Sequence, residues 1–459
     1  MQLTGRRKIK TQYTEITEQN IVDVLTTSYA LFLQNQVEID FLYDYFKGKQ
    51  PILNRIKKVR PEINNKIVEN HANSIVKFKT GYLLQKPINY VARKDKDTIS
   101  SALEYLNDCM DMEDKDSKDK EVANAQAICG LAYRLVLPNK LYDEEKEDAS
   151  PFNFYTIAPR QAYVVYSSDI GEEPLLGVIP LVLKDENGNT VVRLQVYTKD
   201  LFIVFNYTTK LIESAESHTY GRIPLIEYPY NEERMGAFEP VIPLLDAINT
   251  IESNRVDGIE QFIQAIMVFK NVEVTKEMLD LLKELGAINI DDNGEVKANV
   301  EYLQQELNQT QVQTLVNYLL EVVYRITGMP MGNNKSGDDT GTAVIMRDGW
   351  SEAEARTQDT ELMFKKSEKE FLRLALHYMR TLSLKKYNLA LTDIDIKFTR
   401  RNYENIYQKS QVLDLLLKSG KVAPRLAFQV CGLFSDSEQA YEDSEKYIKE
   451  NQDVISQAD

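Results

Sequence analysis

Apolar residues recur every four positions through residues 15–48, at Ile21, Leu25, Tyr29, Leu33 and Val37, and predict a long helix. Pro51 and Pro61 break the next stretch. A second helix is expected over 62–84, stopped where Pro87 interrupts LLQKPINYV and a strand-like run begins. From 152 to 230 the pattern changes character. FNFYTIAPRQAYVVYSS, PLLGVIPLVLKD, TVVRLQVYTKD and LFIVFNYTT are rich in β-branched and aromatic residues, and Asn187-Gly188 suits a hairpin turn. These features predict an antiparallel β region, closed by RIPLIEYPYNEE with Pro224 and Pro229.

From Pro240 to Asn271 the pattern is helical, with Leu245, Ile248, Val256, Ile259, Ile263 and Ile266 on one face. Asp246, Asn249, Ser253, Asp257, Glu260 and Gln264, spaced 3, 4, 4, 3 and 4 apart, form a second, polar and acidic stripe. An ordinary surface helix has the same look. Residues 272–304 read as a small mixed unit: a strand at VEVT, a helix at KEMLDLLKELG closed by Gly286, and a hairpin around Asn293-Gly294. Another amphipathic helix runs from about Leu307 to Thr327, with Leu315, Tyr318, Leu319, Val322 and Ile326 apolar; at 1.5 Å per residue it is roughly 30 Å long. An αβ insertion between two helices suggests that they leave the main body together and return together. Thr340 or Thr342 is a fair N-cap for a pattern of roughly 40 residues, far beyond the usual 11–12, with Gly349 as the expected kink. The strand IDIKFTRR and two or three short helices, the last highly charged and solvent-facing, complete an α+β, mainly helical chain.

Composition narrows the function. The 459 residues suggest two to four domains, and 43% apolar content supports a sizeable core. A net charge of −15 disfavours a protein that grips nucleic acid by its phosphates, but not one that lets nucleic acid slide past. Cys109, Cys129 and Cys431 are sparse and far apart, which fits a reducing compartment, and His71, His218 and His377 form no cluster with metal-ligand spacing. The charge run NDCMDMEDKDSKDKE (107–121) reads as a solvated helix end or loop; it lacks the turn glycine of a calcium loop. The basic start MQLTGRRKIKTQYTE has no apolar stretch behind it, and no run of about 18 apolar residues occurs, so neither a secretory signal nor a transmembrane helix is expected. A soluble protein made in a cytoplasm is the expectation.

The segment GMPMGNNKSGDDTGTAVIMRDGW (328–350) holds five glycines and a Lys-Ser pair, and raises the question of phosphate binding. A phosphate loop needs a strand, then GxxxxGK[ST], then a helix. Here Asn334 precedes Lys335-Ser336, the preceding element is a helix, and Asp338 and Asp339 would repel phosphate. No catalytic residue set, metal site or cofactor is expected.

Element order and three motifs carry a family resemblance. GYLLQKPINY (81–90) resembles a "GY-x-x-G-x-P-I-x-Y" segment, with Gln85 where glycine is usual. GAFEPVIPLLDAINTIESNRVDGIEQF (236–262) is similar to an exit-helix segment. TGMPMGNNKSGDDTGTAV (327–344) resembles "G-x-P" followed by "S/T-G-x-A", with Thr340, Gly341 and Ala343 at the second part. In this order and at these separations, over about 20–400, the chain resembles the portal proteins of tailed bacteriophages, in the branch common among phages of Gram-positive hosts.

The resemblance implies a wing, stem, clip and crown architecture, with the antiparallel β region in the wing. It places an N-terminal helical segment at 1–48, the wing at 49–238, stem helices at 239–271 and 306–328, and the clip at 272–305. A tunnel loop falls at 329–341, the long wing helix and strand at 342–401 and the crown at 402–459. It implies a non-enzymatic homo-oligomeric ring, usually of twelve subunits, at one capsid vertex, through which double-stranded DNA is packaged and ejected without sequence specificity. Implied partners are the terminase large subunit, capsid and scaffolding proteins, and head-completion or adaptor proteins, with no membrane. The protein would be assembled in the host cytoplasm and reside in the virion. Asn333, Asn334, Lys335, Ser336, Asp338 and Asp339 would belong to the tunnel loop. The stripe of Asp246, Asn249, Ser253, Asp257, Glu260 and Gln264 would line the channel. Two alternatives stay open: a nuclease or NTPase, which would need a carboxylate cluster or a true phosphate loop, and a phage structural protein that forms no channel, such as a minor capsid or adaptor protein.

Overall fold

The computed structural model describes residues 3–93, 97–143, 149–185, 187–263, 266–270, 274–278, 280, 299–303, 309–331, 349–382, 389–400, 406–434 and 437–451. The chain divides into two compact units, one of residues 1–46, 72–240 and 324–459, the other of 47–71 and 241–323.

In the first unit α1 (Ile21–Phe46) covers a six-stranded sheet. The strands are β1 (Ile9–Thr11), β5 (Tyr163–Ser167), β6 (Pro174–Lys184), β7 (Thr190–Tyr197), β8 (Leu201–Asn206) and β9 (Leu211–Ser217), in that order across the sheet. Only β1, absent from the sequence reading, pairs in parallel, with β5; the other pairings are antiparallel. Successive residues of a strand face opposite ways, and the core follows that period. Tyr163, Val165, Val178 and Val196 pack under Leu25, Tyr29 and Phe32 of α1. Their neighbours Val164, Ile179 and Tyr197 pack on the other side, with Leu131, Tyr133 and Leu135. Those three come from β3 (Leu131–Pro138), the centre of a second sheet with β4 (Phe152–Ile157) and β10 (Leu225–Pro229). The predicted hairpin joins β6 to β7, with Gly188 at φ +82° and its N–H on Asp185 O at 2.9 Å.

A larger core lies between α3 (Asp97–Met112), α4 (Lys115–Cys129), α7 (Trp350–Leu382) and the two-stranded sheet of β2 (Asn89–Ala92) and β13 (Ile394–Lys397). The three cysteines are free and buried. Gly130 ends α4 at φ +86°; a Cβ there would sit 1.9 Å from Arg234 O, so only glycine fits the turn into β3. Three short helices, α8 (Ile406–Ser419), α9 (Pro424–Cys431) and α10 (Ser437–Glu450), follow, and α10 buries no side chain.

Several boundaries differ from the sequence reading. The helix expected over 62–84 begins only at His71, as α2 (His71–Leu83); residues 63–70 are not helical. The helix expected to reach Asn271 is α5 (Ile242–Ile263), and β11 (Ile266–Lys270) follows it and pairs with β12 (Asn299–Leu303); the strand expected at VEVT lies partly outside the described residues. The Asn293-Gly294 turn lies outside the described residues. The helix expected over 307–327 is α6 (Gln309–Thr327). Gly349, the expected kink, stands at φ +81° at the start of α7, and the expected helix before it, from Thr340 or Thr342, lies outside the described residues.

The charge run at 107–121 is not wholly solvated. Lys115 and Asp119 are buried, and they meet Arg134 of β3 and Glu368 of α7, both fully buried. Lys115 Nζ lies 2.7 Å from Glu368 and also pairs with Asp119; Arg134 reaches Asp119 at 2.6 Å and Glu368 at 3.5 Å. Two cations and two anions balance. Tyr228 and Tyr90 donate their hydroxyls to Glu368, and the Arg134 guanidinium lies among Phe154, Tyr228 and Phe371 at 5.0–5.1 Å from their ring centroids. Burial pushes the Glu368 carboxyl up, but Lys115 and Arg134 outweigh it and hold it below the usual range. Removing one member strands the others' charge in the core. Glu368→Gln should therefore cost about 3–5 kcal/mol, seen as a lower urea midpoint, whereas neutralising an exposed glutamate such as Glu232 should leave the midpoint almost unchanged.

Candidate functional site

In the second unit the polar stripe of α5 is an internal surface. Asn249 and Ser253 are fully buried and Asp257 nearly so. Each accepts a backbone N–H from the extended segment before α2: Asn65 on Asp257 at 2.7 Å, Ile67 on Ser253 at 2.9 Å, Glu69 on Asn249 at 2.8 Å. The acceptors are four residues apart on a helix, and the donors two apart on an extended chain running the other way. Four helical residues rise about 6.0 Å and two extended residues advance about 6.6 Å, so the two repeats stay in step. The side chains of α5 thus take the place of a partner strand. Ser253 Oγ completes its bonding by donating to Asn249 O at 2.6 Å, and the Asn249 amide donates to Gln50.

Asp257 carries the most. Besides the Asn65 N–H it accepts the Asn65 amide at 3.0 Å and Lys57 at 3.0 Å, and pairs with Arg55 at 3.2 Å. Burial raises its pKa, but the bonds from Asn65 and Lys57 win, and the carboxyl titrates below the usual range. Glu260, partly exposed, accepts from Asn65 at 2.8 Å; Asp246 is partly exposed; Gln264 lies outside the described residues. The expectation that this stripe is a solvent-facing wall is corrected at Asn249, Ser253 and Asp257, which are spent inside the chain. A signal was present: Asn, Ser and Asp are poor helix formers but good acceptors for backbone N–H groups, and here they recur every four residues.

Of the loop residues, Asn333, Asn334, Lys335, Ser336, Asp338 and Asp339 lie outside the described residues; both flanks of their segment are described. Met329 N–H returns to Tyr324 O at 2.9 Å, with Gly328 left-handed at φ +62°, a Schellman-type end for α6. A Cβ at 328 would fall 2.4 Å from Arg356 Cδ, because Arg356 crosses this turn to donate to Ile326 O at 2.6 Å. Lys79 of α2 reaches Gly328 O at 3.4 Å; burial, then the nearby Arg356, pull its pKa down to about 8. On the other flank Trp350 packs beside Phe78 and Tyr82 at 6.1 and 5.9 Å, and Tyr82 donates to Glu354 at 2.9 Å. One face of α2 therefore holds both flanks. Sequence reasoning missed Lys79 and Arg356, since no local pattern marks a lysine or arginine that caps a distant helix.

Among the described residues no group of three His, Cys, Asp or Glu side chains is placed to hold a metal ion, and no helix is long and apolar enough to cross a membrane. Comparison with known proteins agrees with the motifs. Residues 32–454 match the family of phage portal proteins, SPP1 Gp6-like. The chain belongs to that family, a structural one of bacteriophage virions. The portal protein of Bacillus phage SPP1 is 23% identical over 252 residues, which cover 51% of this chain and 47% of that protein. The chain thus matches that curated relative over about half of its length.

The ladder has a measurable signature. Asp257→Ala should cut the hydrogen-exchange protection of the Asn65 amide about ten- to a hundredfold, the loss of a bond to a charged acceptor, with smaller losses at Ile67 and Glu69. In the wild type the depressed Asp257 pKa sets the sign: the stabilisation is fully present above the ordinary carboxylate pKa and is lost as pH falls through the lower folded-state value. Protection at Asn65 should therefore survive mild acid.

Proposed function

We propose that the chain forms a ring of about twelve copies at one capsid vertex, a channel through which double-stranded DNA is packaged and ejected. The family match over residues 32–454 carries this reading. In it 239–271 and 306–328 form the stem, 272–305 the clip, 329–341 the tunnel loop and 402–459 the crown, with the wing in 49–238 and 342–401. The first stem helix then brings a strap with it, since 63–70 are bound along α5. Terminase, scaffolding and adaptor proteins dock on the ring from outside, and ATP hydrolysis belongs to the motor, not to this chain. Assembly in the host cytoplasm and residence in the virion follow.

Two observations support the assembly. Ile259 on α5 and Leu315, Tyr318 and Ile326 on α6 are 40–58% exposed, so apolar faces of both helices await cover. A net charge of −15 per copy gives a ring that does not hold a duplex by counterion release. At the constriction the glycines of 329–341 permit left-handed backbone, and Lys335 supplies a light phosphate contact between acidic neighbours.

The native mass of the purified assembly tests the reading. A closed ring of about twelve is expected; a monomer or small open oligomer would favour a minor capsid or adaptor protein. ATPase activity lost on Lys335→Ala would restore an enzymatic reading. Shortening 333–339 should leave the ring intact and lower DNA packaging or retention. Wild-type packaging by the shortened protein would reduce the loop to a connector.

A further inference from the structure

The strap on α5 also presents something outward. Residues 53–63 form a projecting loop closed by its own bonds: Asn64 donates to Arg55 O at 3.1 Å, Lys57 to Ile63 O at 2.8 Å, and Lys66 to Leu53 O at 2.7 Å. Ile63 is buried, and Arg55 and Lys57 point inward to Asp257, so the base is fixed. Arg60 turns the chain at φ +51° just before Pro61. What faces out is Ile56, 88% exposed, and Val59, 77% exposed, beside exposed Lys58. A rigid loop that holds two aliphatic side chains almost fully in water is built to bury them elsewhere.

The second unit supplies a matching surface. On α6 Val316 and Val323 are buried, whereas Leu315 and Tyr318 are 48% and 58% exposed, with exposed Glu321 one turn further on. Both patches are unsatisfied within one copy, and one charge on each can pair: Lys58 stands beside Ile56 and Val59 on the loop, and Glu321 beside Tyr318 on α6, with Arg325 a further turn along that helix. Two apolar residues at the tip do not suit a phosphate backbone. We propose that the loop 53–63 of one copy docks on α6 of a second copy, Ile56 and Val59 against Leu315 and Tyr318, and Lys58 toward Glu321. The contact joins two different patches, head to tail, and so can repeat around an axis. It rests on the ring reading only in naming a second copy as the occupant. The ladder on Asn249, Ser253 and Asp257 then has a further role, which is to set the loop at a fixed place along the helix.

Cross-linking tests this directly, because the native cysteines are buried. The full-length chain carrying Val59→Cys and Tyr318→Cys, treated with a short bismaleimide, should give covalent dimers and higher multimers that neither single variant gives. Lys58→Glu should weaken association about two- to fivefold, and adding Glu321→Lys should restore it. Absence of intermolecular cross-links, or a double charge variant no better than the singles, overturns the proposal. The ring reading is judged separately by native mass. Cross-linked copies without a closed ring would sink the ring and leave the contact, and a closed ring without cross-links would do the reverse.

Discussion

Among the described residues no strand pairs with the extended segment before α2, yet the N–H groups of Asn65, Ile67 and Glu69 are taken up by side chains. A buried donor left unpaired costs about 1–3 kcal/mol, more than most single packing contacts return. Asn249, Ser253 and Asp257 meet that demand from the flank of a helix. Much of the second unit depends on this arrangement. It fixes the register of 63–70 against α5, gathers Arg55 and Lys57 onto one carboxylate, and so decides which side chains of the loop face outward.

The same demand organises the first unit. Arg134 sits in the middle of an apolar strand, and Glu368 in the middle of a long helix, and each is tolerable only because the other, with Lys115 and Asp119, closes a neutral cluster. The cluster ties α4, β3 and α7 at one point in the core. At the amino end Arg6, its side chain fully buried, joins Glu38 of α1 at 3.0 Å to Glu239 at 2.6 Å. The basic start of the chain is thereby a structural clasp, not a loose tail. At the end of α6 the carbonyls left over by the helix go to Arg356 and Lys79, which anchors one flank of the glycine-rich segment.

These interior charges change the meaning of the composition. The acidic residues that read as a channel wall are partly inside, so the excess negative charge has to be sought on the remaining surface. On α5 and α6 the exposed face mixes polar residues with Ile259, Leu315, Tyr318 and Ile326. Such partly exposed apolar side chains suit a component of an oligomeric virion assembly.

Periodicity alone determined the antiparallel sheet, the Asn187-Gly188 hairpin, α1, α6 and the carboxyl-terminal helices, because in each the apolar spacing and the turn residues agree with the tertiary environment. The family was legible in three ordered motifs. Tertiary structure decided the rest. Residues 63–70 carry enough apolar residues to resemble a helix start, but side chains from nearly two hundred residues away bind them extended. Lys115 and Asp119 look solvated within their charge run, and only the arrival of Arg134 and Glu368 makes burial affordable. Asn249, Ser253 and Asp257 have the spacing of a surface stripe, and spacing cannot say whether a polar face meets water or a backbone. In each case the deciding partner is distant in sequence, and local pattern holds no record of it.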